Sequence, residues 1–154
     1  MQIIAAHEQR HLPTVCELFT EYANSIEIDL CFQGFDRELA GLPGRYAPPE
    51  GRVLLAMEHE RAVGCVALRK IGDGICEMKR LYVRPAFRRQ NLGRALADAV
   101  LAAAREIGYE RMRLDTLSSM TGALSLYESL GFQRIAPYYD NPSGAAVFLE
   151  LKLR

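Results

Sequence analysis

The stretch from Glu77 to Gly93 joins an apolar strand to a long amphipathic helix through an arginine-rich loop, Arg84-Pro85-Ala86-Phe87-Arg88-Arg89-Gln90-Asn91-Leu92-Gly93-Arg94. Such a junction suits phosphate chemistry. A helix N-terminus presents backbone N–H groups without intrahelical partners and carries a partial positive charge. The loop before it can wrap an anion with further N–H groups. Gly93 permits close approach of a ligand to the backbone, and Arg88, Arg89 and Arg94 add charge. This order of residue types fits a polyphosphate, most simply a pyrophosphate. A solvated basic loop capping an amphipathic helix is the competing reading. Two other phosphate motifs are missing from the sequence: no Gly-x-Gly-x-x-Gly follows a strand, and no Gly-Lys-Ser/Thr occurs, which disfavours a dinucleotide fold and a P-loop nucleotidase.

The elements around this junction follow from periodicity. Leu92, Ala95, Leu96, Ala99, Val100, Ala103 and Ile107 recur at intervals of three and four, which predicts a helix that Gly108 stops. Upstream, Val53–Met57, Ala62–Leu68 and Ile75–Val83 read as three strands. Turns near Glu60 and at Gly72-Asp73-Gly74 join them into an antiparallel meander. Downstream come a strand at Met112–Thr116, a helix near Gly122–Leu130 ended by Gly131, a strand near Arg134–Tyr138, a turn at Asp140-Asn141-Pro142 and a last strand at Ala146–Leu153. The N-terminal part reads as a short strand over 2–6 and a helix over 12–25, with Leu12, Val15, Leu18, Phe19 and Tyr22 on one face and Pro13 in its first turn. A second short helix over 36–42 precedes a Pro- and Gly-rich connection. A strand–helix–strand unit crosses over right-handed and makes its strands parallel. The fold class is therefore α/β of the α+β type, with a mixed sheet and helices on its faces.

Composition sets outer bounds. The 154 residues fit one domain, and 49% hydrophobic with 25% charged residues is the profile of a globular protein. Nineteen basic residues balance nineteen acidic ones, which gives no electrostatic footprint for nucleic acid or a membrane surface. A helix–turn–helix reading of Arg88, Arg89, Arg94 and Arg105 is disfavoured by that balance and by the β-rich second half. Cys16, Cys31, Cys65 and Cys76 form no Cys-x-x-Cys pair, and His7, His11 and His59 lack zinc-ligand spacing. They read as reduced thiols of a cytoplasmic protein without a metal. The first residues lack the basic head and apolar run of a signal peptide, and no apolar stretch is long enough for a bilayer.

Arg88-Arg89-Gln90-Asn91-Leu92-Gly93-Arg94-Ala95, following Val83-Arg84-Pro85, resembles the Arg/Gln-x-x-Gly-x-Gly/Ala signature of the GNAT N-acetyltransferase family. Ala123-Leu124-Ser125-Leu126-Tyr127-Glu128-Ser129-Leu130-Gly131-Phe132 is similar to its second signature, Ala-x-x-Leu-Tyr-x-x-x-Gly-Phe. The element order matches over essentially residues 1–154 as a single domain. The resemblance implies a sheet of about seven strands and about four helices, splayed into a V between the third meander strand and the strand at 112–116. It implies acetyl-CoA as acyl donor, with its pyrophosphate on the backbone of Arg88, Arg89, Gln90, Asn91, Leu92, Gly93 and Arg94. Its pantetheine would pair with the strand edge at Leu81, Tyr82 and Val83. The implied reaction is direct acetyl transfer to a primary amine of a small metabolite or of a peptide or protein.

Two positions depart from the family pattern. Asn91 stands where glycine is usual, and asparagine tolerates left-handed backbone angles better than most residues. Met120 replaces an asparagine that contacts the pantetheine arm in many members.

Amine acetylation needs a proton removed from the amine, a polarised carbonyl and a protonated leaving thiolate. By resemblance, Tyr127 is the acid beside the coenzyme A sulfur and also a cofactor contact. A phenol is matched to a thiolate of similar basicity. Glu77 matches a glutamate that serves as base in several members; the alternatives are a solvated carboxylate or one paired with Lys79 or Arg69. The acceptor side falls on Ser25–Phe35 and Tyr138-Tyr139-Asp140-Asn141. There Glu27 and Asp29 with Tyr138 and Tyr139 would hold an ammonium by charge and ring face, unless they are plain surface acids and hairpin tyrosines. Asp115 reads as part of the strand edge beside the cofactor, and Cys65 and Cys76 as small core residues. A noncatalytic acetyl-CoA-binding sensor is the alternative function. The last strand's free edge is compatible with a homodimer.

Overall fold

The computed structural model describes residues 1–26 and 34–154. Glu27, Asp29 and Cys31 lie outside the described residues. Among the described residues seven strands form one sheet: β1 (Gln2–Ala5), β2 (Arg52–Glu58), β3 (Arg61–Gly72), β4 (Ile75–Val83), β5 (Arg111–Leu117), β6 (Gln133–Ile135) and β7 (Ala146–Lys152). Their spatial order is β1-β2-β3-β4-β5-β7-β6, so the last strand, β7, is paired on both sides and is not the free edge expected of it; β6 is the edge there. Four α-helices among the described residues accompany them: α1 (Leu12–Ser25), α2 (Phe35–Ala40), α3 (Leu92–Ile107) and α4 (Thr121–Ser129). The mixed sheet matches the expected architecture, with one parallel pair, β4 with β5, exactly where α3 makes the crossover.

Each face of the sheet has its own core. On one face the stripe Leu92, Leu96, Val100 and Ala104 of α3 packs on Val63, Val66, Leu68, Met78, Met112 and Leu114, and α4 adds Leu124 and Tyr127. On the other face Val15, Leu18 and Phe19 of α1 and Phe35 of α2 cover Val53, Leu55, Cys65 and Ala67. A fully buried Leu or Phe side chain contributes about 1.5–3 kcal/mol by leaving water. Gly108 closes α3 at φ 109°, a left-handed C-terminal stop.

The expected strand near Arg134–Tyr138 ends at Ile135. Pro137 has no N–H to give a ladder, and the rings of Tyr138 and Tyr139 turn onto Phe148 at 5.2 and 5.3 Å between centroids. The expected helix at 36–42 is likewise shorter, stopping at Ala40 before Gly41.

The feature that makes a site is the β4–β5 pairing. It consists of Ile75↔Arg111, Cys76↔Met112 and Glu77↔Arg113, and then stops. Beyond Glu77, β4 stays paired to β3 on its other side as far as Val83, while β5 stays paired to β7. The sheet therefore opens into a V with its vertex at Glu77. A bulge in β4 strengthens the bend. Ala67 opposes Lys79 and Cys65 opposes Tyr82, so β4 carries an extra residue there. Arg80 adopts φ 61° to absorb it.

Candidate active site

Two helix N-termini converge on the open side of the V. Neither α3, capped by Asn91, nor α4, capped by Met120, has a side-chain hydrogen bond to its first turn, and neither has an acid there. Their leading N–H groups stay available to an anion. The loop before α3 folds with Arg89 at φ 70° and Asn91 at φ 60°. Successive peptide N–H groups in such a conformation form an anion-binding concavity. Asn91 thus takes the left-handed angle that its residue type tolerates.

A cleft of about 560 Å³ runs along this surface, lined by Leu81, Tyr82, Val83, Arg88, Arg89, Asn91, Leu92 and Gly93 on one side. Residues 119–123 and Leu126 line the other, and Tyr22 and Ser25 of α1 close it. Of the residues expected to hold a cofactor, Gln90, Arg94 and Tyr127 do not line this cleft. Arg94 turns away to donate to Ser129 Oγ at 3.2 Å and to approach Asp98 at 3.8 Å. Arg88 is folded back, donating from Nε to Val83 O at 2.9 Å with its guanidinium 5.8 Å from the Tyr82 ring centroid. The Tyr82 hydroxyl donates to Glu21 Oε1 at 3.3 Å on the α1 side. Arg84 ties α1 to the end of β4 through Glu17 at 2.8 Å and Glu21 at 2.7 Å. That hydrogen bond holds the Glu21 carboxyl below its ordinary pKa, and the tie sets Tyr22 and Ser25 against the cleft.

Where β4 and β5 separate, a narrow slot of about 30 Å³ crosses the sheet. Lys79, Arg80 and Leu81 of β4, Asp115 and Thr116 of β5, and Tyr22, Met120 and Tyr127 line it. Unpaired strand edges make its walls polar. It shares Tyr22, Leu81 and Met120 with the larger cleft, so the two are continuous. Tyr127 is held edge-on to Phe132 at 5.8 Å between centroids. Burial pushes the Tyr127 phenol pKa well above its ordinary value, which keeps the hydroxyl protonated. Met120 fills the asparagine position with a thioether that accepts from Thr116 Oγ1 at 3.7 Å.

Glu77 is buried and held by partners on both carboxylate oxygens. Its carboxylate is 1% exposed. Oε1 takes both Nε and Nη2 of Arg69 at 2.8 Å, and Oε2 accepts from the Tyr138 hydroxyl at 2.6 Å. Of the arrangements open to it in the sequence, the structure has the Arg69 pair. Tyr138 also lies under the Arg113 guanidinium, 5.4 Å from the ring centroid. Glu77 and Arg113 are the last pair of the parallel ladder, so Tyr138 staples both strands at the vertex. Its neighbour Tyr139 donates to Asp115 Oδ2 at 2.6 Å and accepts from Asn141 Nδ2 at 2.9 Å. The two tyrosines are structural partners of the V, with phenol pKa values raised by burial and then by these carboxylates. Sequence reasoning missed Lys79 and Arg80 as slot residues. The β4 bulge that turns them there has no local sequence mark.

Cys65 and Cys76 are buried in the two cores, where loss of hydration raises both thiols, Cys76 to about 12. Among the described residues no cluster of His, Cys, Asp and Glu could hold a metal ion, and no helix is long and apolar enough to cross a membrane.

The model of the acetyltransferase (GNAT) family matches residues 12–132, which include the junction loop, the slot and α4. The chain belongs to the GNAT acetyltransferase family. An uncharacterized N-acetyltransferase of Schizosaccharomyces pombe is 44% identical over 138 residues, 88% of this GNAT chain and 85% of that protein. A GNAT-family acetyltransferase of Staphylococcus aureus superposes with a TM-score of 0.81 at 21% identity over 99% of each chain. A Salmonella typhimurium structure solved with its cofactor acetyl-CoA gives a TM-score of 0.75 at 22% identity over 99% of this chain and 94% of that one. Both likenesses show the GNAT fold.

Proposed function

We propose that the protein transfers the acetyl group of acetyl-CoA directly to a primary amine. The observation that carries this reading is the continuity of the cleft with the slot. An anion-binding loop between two uncapped helix N-termini leads along the free edge of Leu81–Val83 to the buried hydroxyl of Tyr127. Acetyl-CoA would supply the activated thioester carbonyl and a thiolate leaving group. The chain's residues then have distinct parts. Backbone N–H groups from Arg88 to Gly93 hold the pyrophosphate, and the β4 edge aligns the pantetheine as an added strand. In the transfer, the amine nitrogen forms the new bond to the acetyl carbon as the carbon–sulfur bond breaks. The Tyr127 hydroxyl gives its proton to the departing sulfur, and the proton released from the nitrogen as the amide forms passes through solvent and restores the phenol.

Gly93 offers a test that separates folding from binding. A Cβ built there would meet Leu126 Cδ2 at 3.8 Å, an ordinary contact, and nothing closer. Gly93→Ala should therefore leave the melting temperature unchanged or slightly higher, since Gly costs a helix about 0.5–1 kcal/mol relative to Ala. If the pyrophosphate sits on this turn, the added methyl will displace it. Isothermal titration should give saturable acetyl-CoA binding to wild type, with NADH as the negative control, and at least tenfold weaker binding to Gly93→Ala, equivalent to about 1.4 kcal/mol. No binding to wild type would sink the proposal.

We assign Glu77 a positioning part, because both of its oxygens are engaged. Glu77→Gln keeps an acceptor for Tyr138 but removes the charge opposite Arg69. The expected outcome is a fall of several degrees in melting temperature with an unchanged shape of the kcat/KM pH profile. A general base would instead lose the acid limb of that profile and about 10²- to 10⁴-fold in kcat.

A further inference from the structure

Acetyl transfer also needs a polarised carbonyl, and the Tyr127 proton goes to the sulfur. The place for carbonyl polarisation is the point where the cleft runs into the slot. Three residues line both spaces, Tyr22, Leu81 and Met120. A donor lying along the β4 edge brings its thioester there. Of those three side chains, only the Tyr22 phenol has a strong hydrogen-bond proton to give. The hydroxyl of Thr116, on the β5 wall of the slot, is already turned to the Met120 sulfur at 3.7 Å.

Tyr22 is fixed in place by its neighbours. Its ring stands edge-on to that of Tyr82 at 6.4 Å between centroids, and the Arg80 guanidinium lies 5.9 Å from its centroid. The preceding residue, Glu21, meets Arg84 at the end of β4 at 2.7 Å, which fastens this turn of α1 to the strand. Among the described residues no group accepts a hydrogen bond from the Tyr22 hydroxyl. The cation beside it, Arg80, has protons to give and no lone pair to take one. The hydroxyl proton is thus left for a ligand. Burial raises the phenol pKa, against the opposing charge of Arg80, so the proton is present at neutral pH. Tyr22 also adds to the burial effect on Tyr127, as two phenols facing one slot must.

We propose that the Tyr22 hydroxyl donates a hydrogen bond to the carbonyl oxygen of the acetyl thioester, polarising the carbon that the amine attacks. This rests on the acetyl-transfer reading above. Tyr22 keeps its proton throughout. It holds the oxygen while negative charge builds there and loosens as the carbonyl re-forms and the carbon–sulfur bond breaks. The nearby guanidinium of Arg80 favours that charge. The two tyrosines divide the thioester between them, Tyr22 on oxygen and Tyr127 on sulfur.

The test reads the carbonyl itself and needs no amine. Acetyl-CoA carrying carbon-13 at the carbonyl is bound to wild type, Tyr22→Phe and Tyr127→Phe, and the isotope-edited infrared band is recorded. A hydrogen bond weakens the C=O bond. The band should therefore lie below that of free acetyl-CoA in wild type, stay there in Tyr127→Phe, and move back toward the free value in Tyr22→Phe. Phenylalanine keeps the ring against Tyr82, so acetyl-CoA affinity should fall by no more than about tenfold, the worth of one neutral hydrogen bond. For any amine that wild type turns over, loss of such a donor should lower kcat by about 10²- to 10³-fold. A packing role alone would move the melting temperature and leave the band in place. Coincident bands in wild type and Tyr22→Phe, or a variant kcat within about threefold of wild type, would overturn the inference and leave acetyl transfer standing. If Tyr22→Phe does not fold, the wild-type band decides: a lowered band supports the inference, and one unmoved from free acetyl-CoA overturns it. Failure of acetyl-CoA to bind would overturn the parent reading first, and this one with it.

Discussion

Replacing Tyr127 by phenylalanine is expected to lower kcat by about 10²- to 10⁴-fold while acetyl-CoA affinity stays within about threefold of wild type. The size follows from the position of the hydroxyl. It lies on a helix that packs into the α3 core, and its ring is fixed against Phe132. No hydrogen bond joins it to another described residue, so its removal strands no partner among them. Burial keeps the phenol protonated across the physiological range, the state an acid must be in before it can act. A coenzyme A thiolate that leaves without a proton is a poorer leaving group, and that loss appears in kcat rather than in binding. The check is steady-state turnover of wild type and variant with the same amine, together with acetyl-CoA titration of both. Turnover of the variant within about threefold of wild type would remove Tyr127 from the chemistry. A parallel fall in acetyl-CoA affinity would make it a binding residue instead.

Much of this site is legible in the chain, for a physical reason. The junction from β4 to α3 is local: the strand, loop and helix start lie within about twenty residues, so their spacing constrains their geometry. Asn91 illustrates this, since its tolerance of a left-handed backbone anticipates the φ of 60° it adopts. The helix periodicities of α1 and α3 carry over for the same reason. What the sequence hides is long-range. Glu77 is apparent as a carboxylate near the vertex, but its burial depends on Tyr138, 61 residues away. That tyrosine leaves the hairpin because its ring finds Phe148. Lys79 and Asp115 become neighbours of one slot only through the parallel register and the splay. The β4 bulge depends on pairing with β3, and Arg80 is an arginine at positive φ rather than the glycine that would announce it. Tertiary contacts decided each of these positions against local expectation.

The bulge also accounts for the second large effect. Glu38→Ala is expected to cost about 3–5 kcal/mol, the loss seen when one partner of a buried ion pair is removed. At about 2–4 °C per kcal/mol for a chain of this size, the melting temperature should fall by roughly 6–20 °C. The Arg80 side chain is 2% exposed, lying 5.2 Å from the Phe35 ring centroid and 5.9 Å from that of Tyr22. Glu38 meets it through two oxygens at 3.0 Å and also accepts from the Tyr46 hydroxyl at 2.9 Å. Without Glu38, the guanidinium loses both of these 3.0 Å contacts while remaining out of water. Removing both charges should be milder, because Arg80→Met in the Glu38→Ala background leaves no charge to strand, and methionine refills part of the space. The double variant should therefore recover a substantial part of the stability lost by Glu38→Ala, and the difference measures the coupling. Its function need not recover. Arg80 sits at the bulge that bends β4 away from β5, next to the Leu81–Val83 edge on which the acyl donor would lie. A weaker hold on that bulge should raise KM for acetyl-CoA more than it lowers kcat. Thermal melts of the single and double variants read the first effect, and initial rates against acetyl-CoA concentration read the second. A Glu38→Ala protein that melts within about 2 °C of wild type, under 1 kcal/mol, would show that the pair does not hold the bulge.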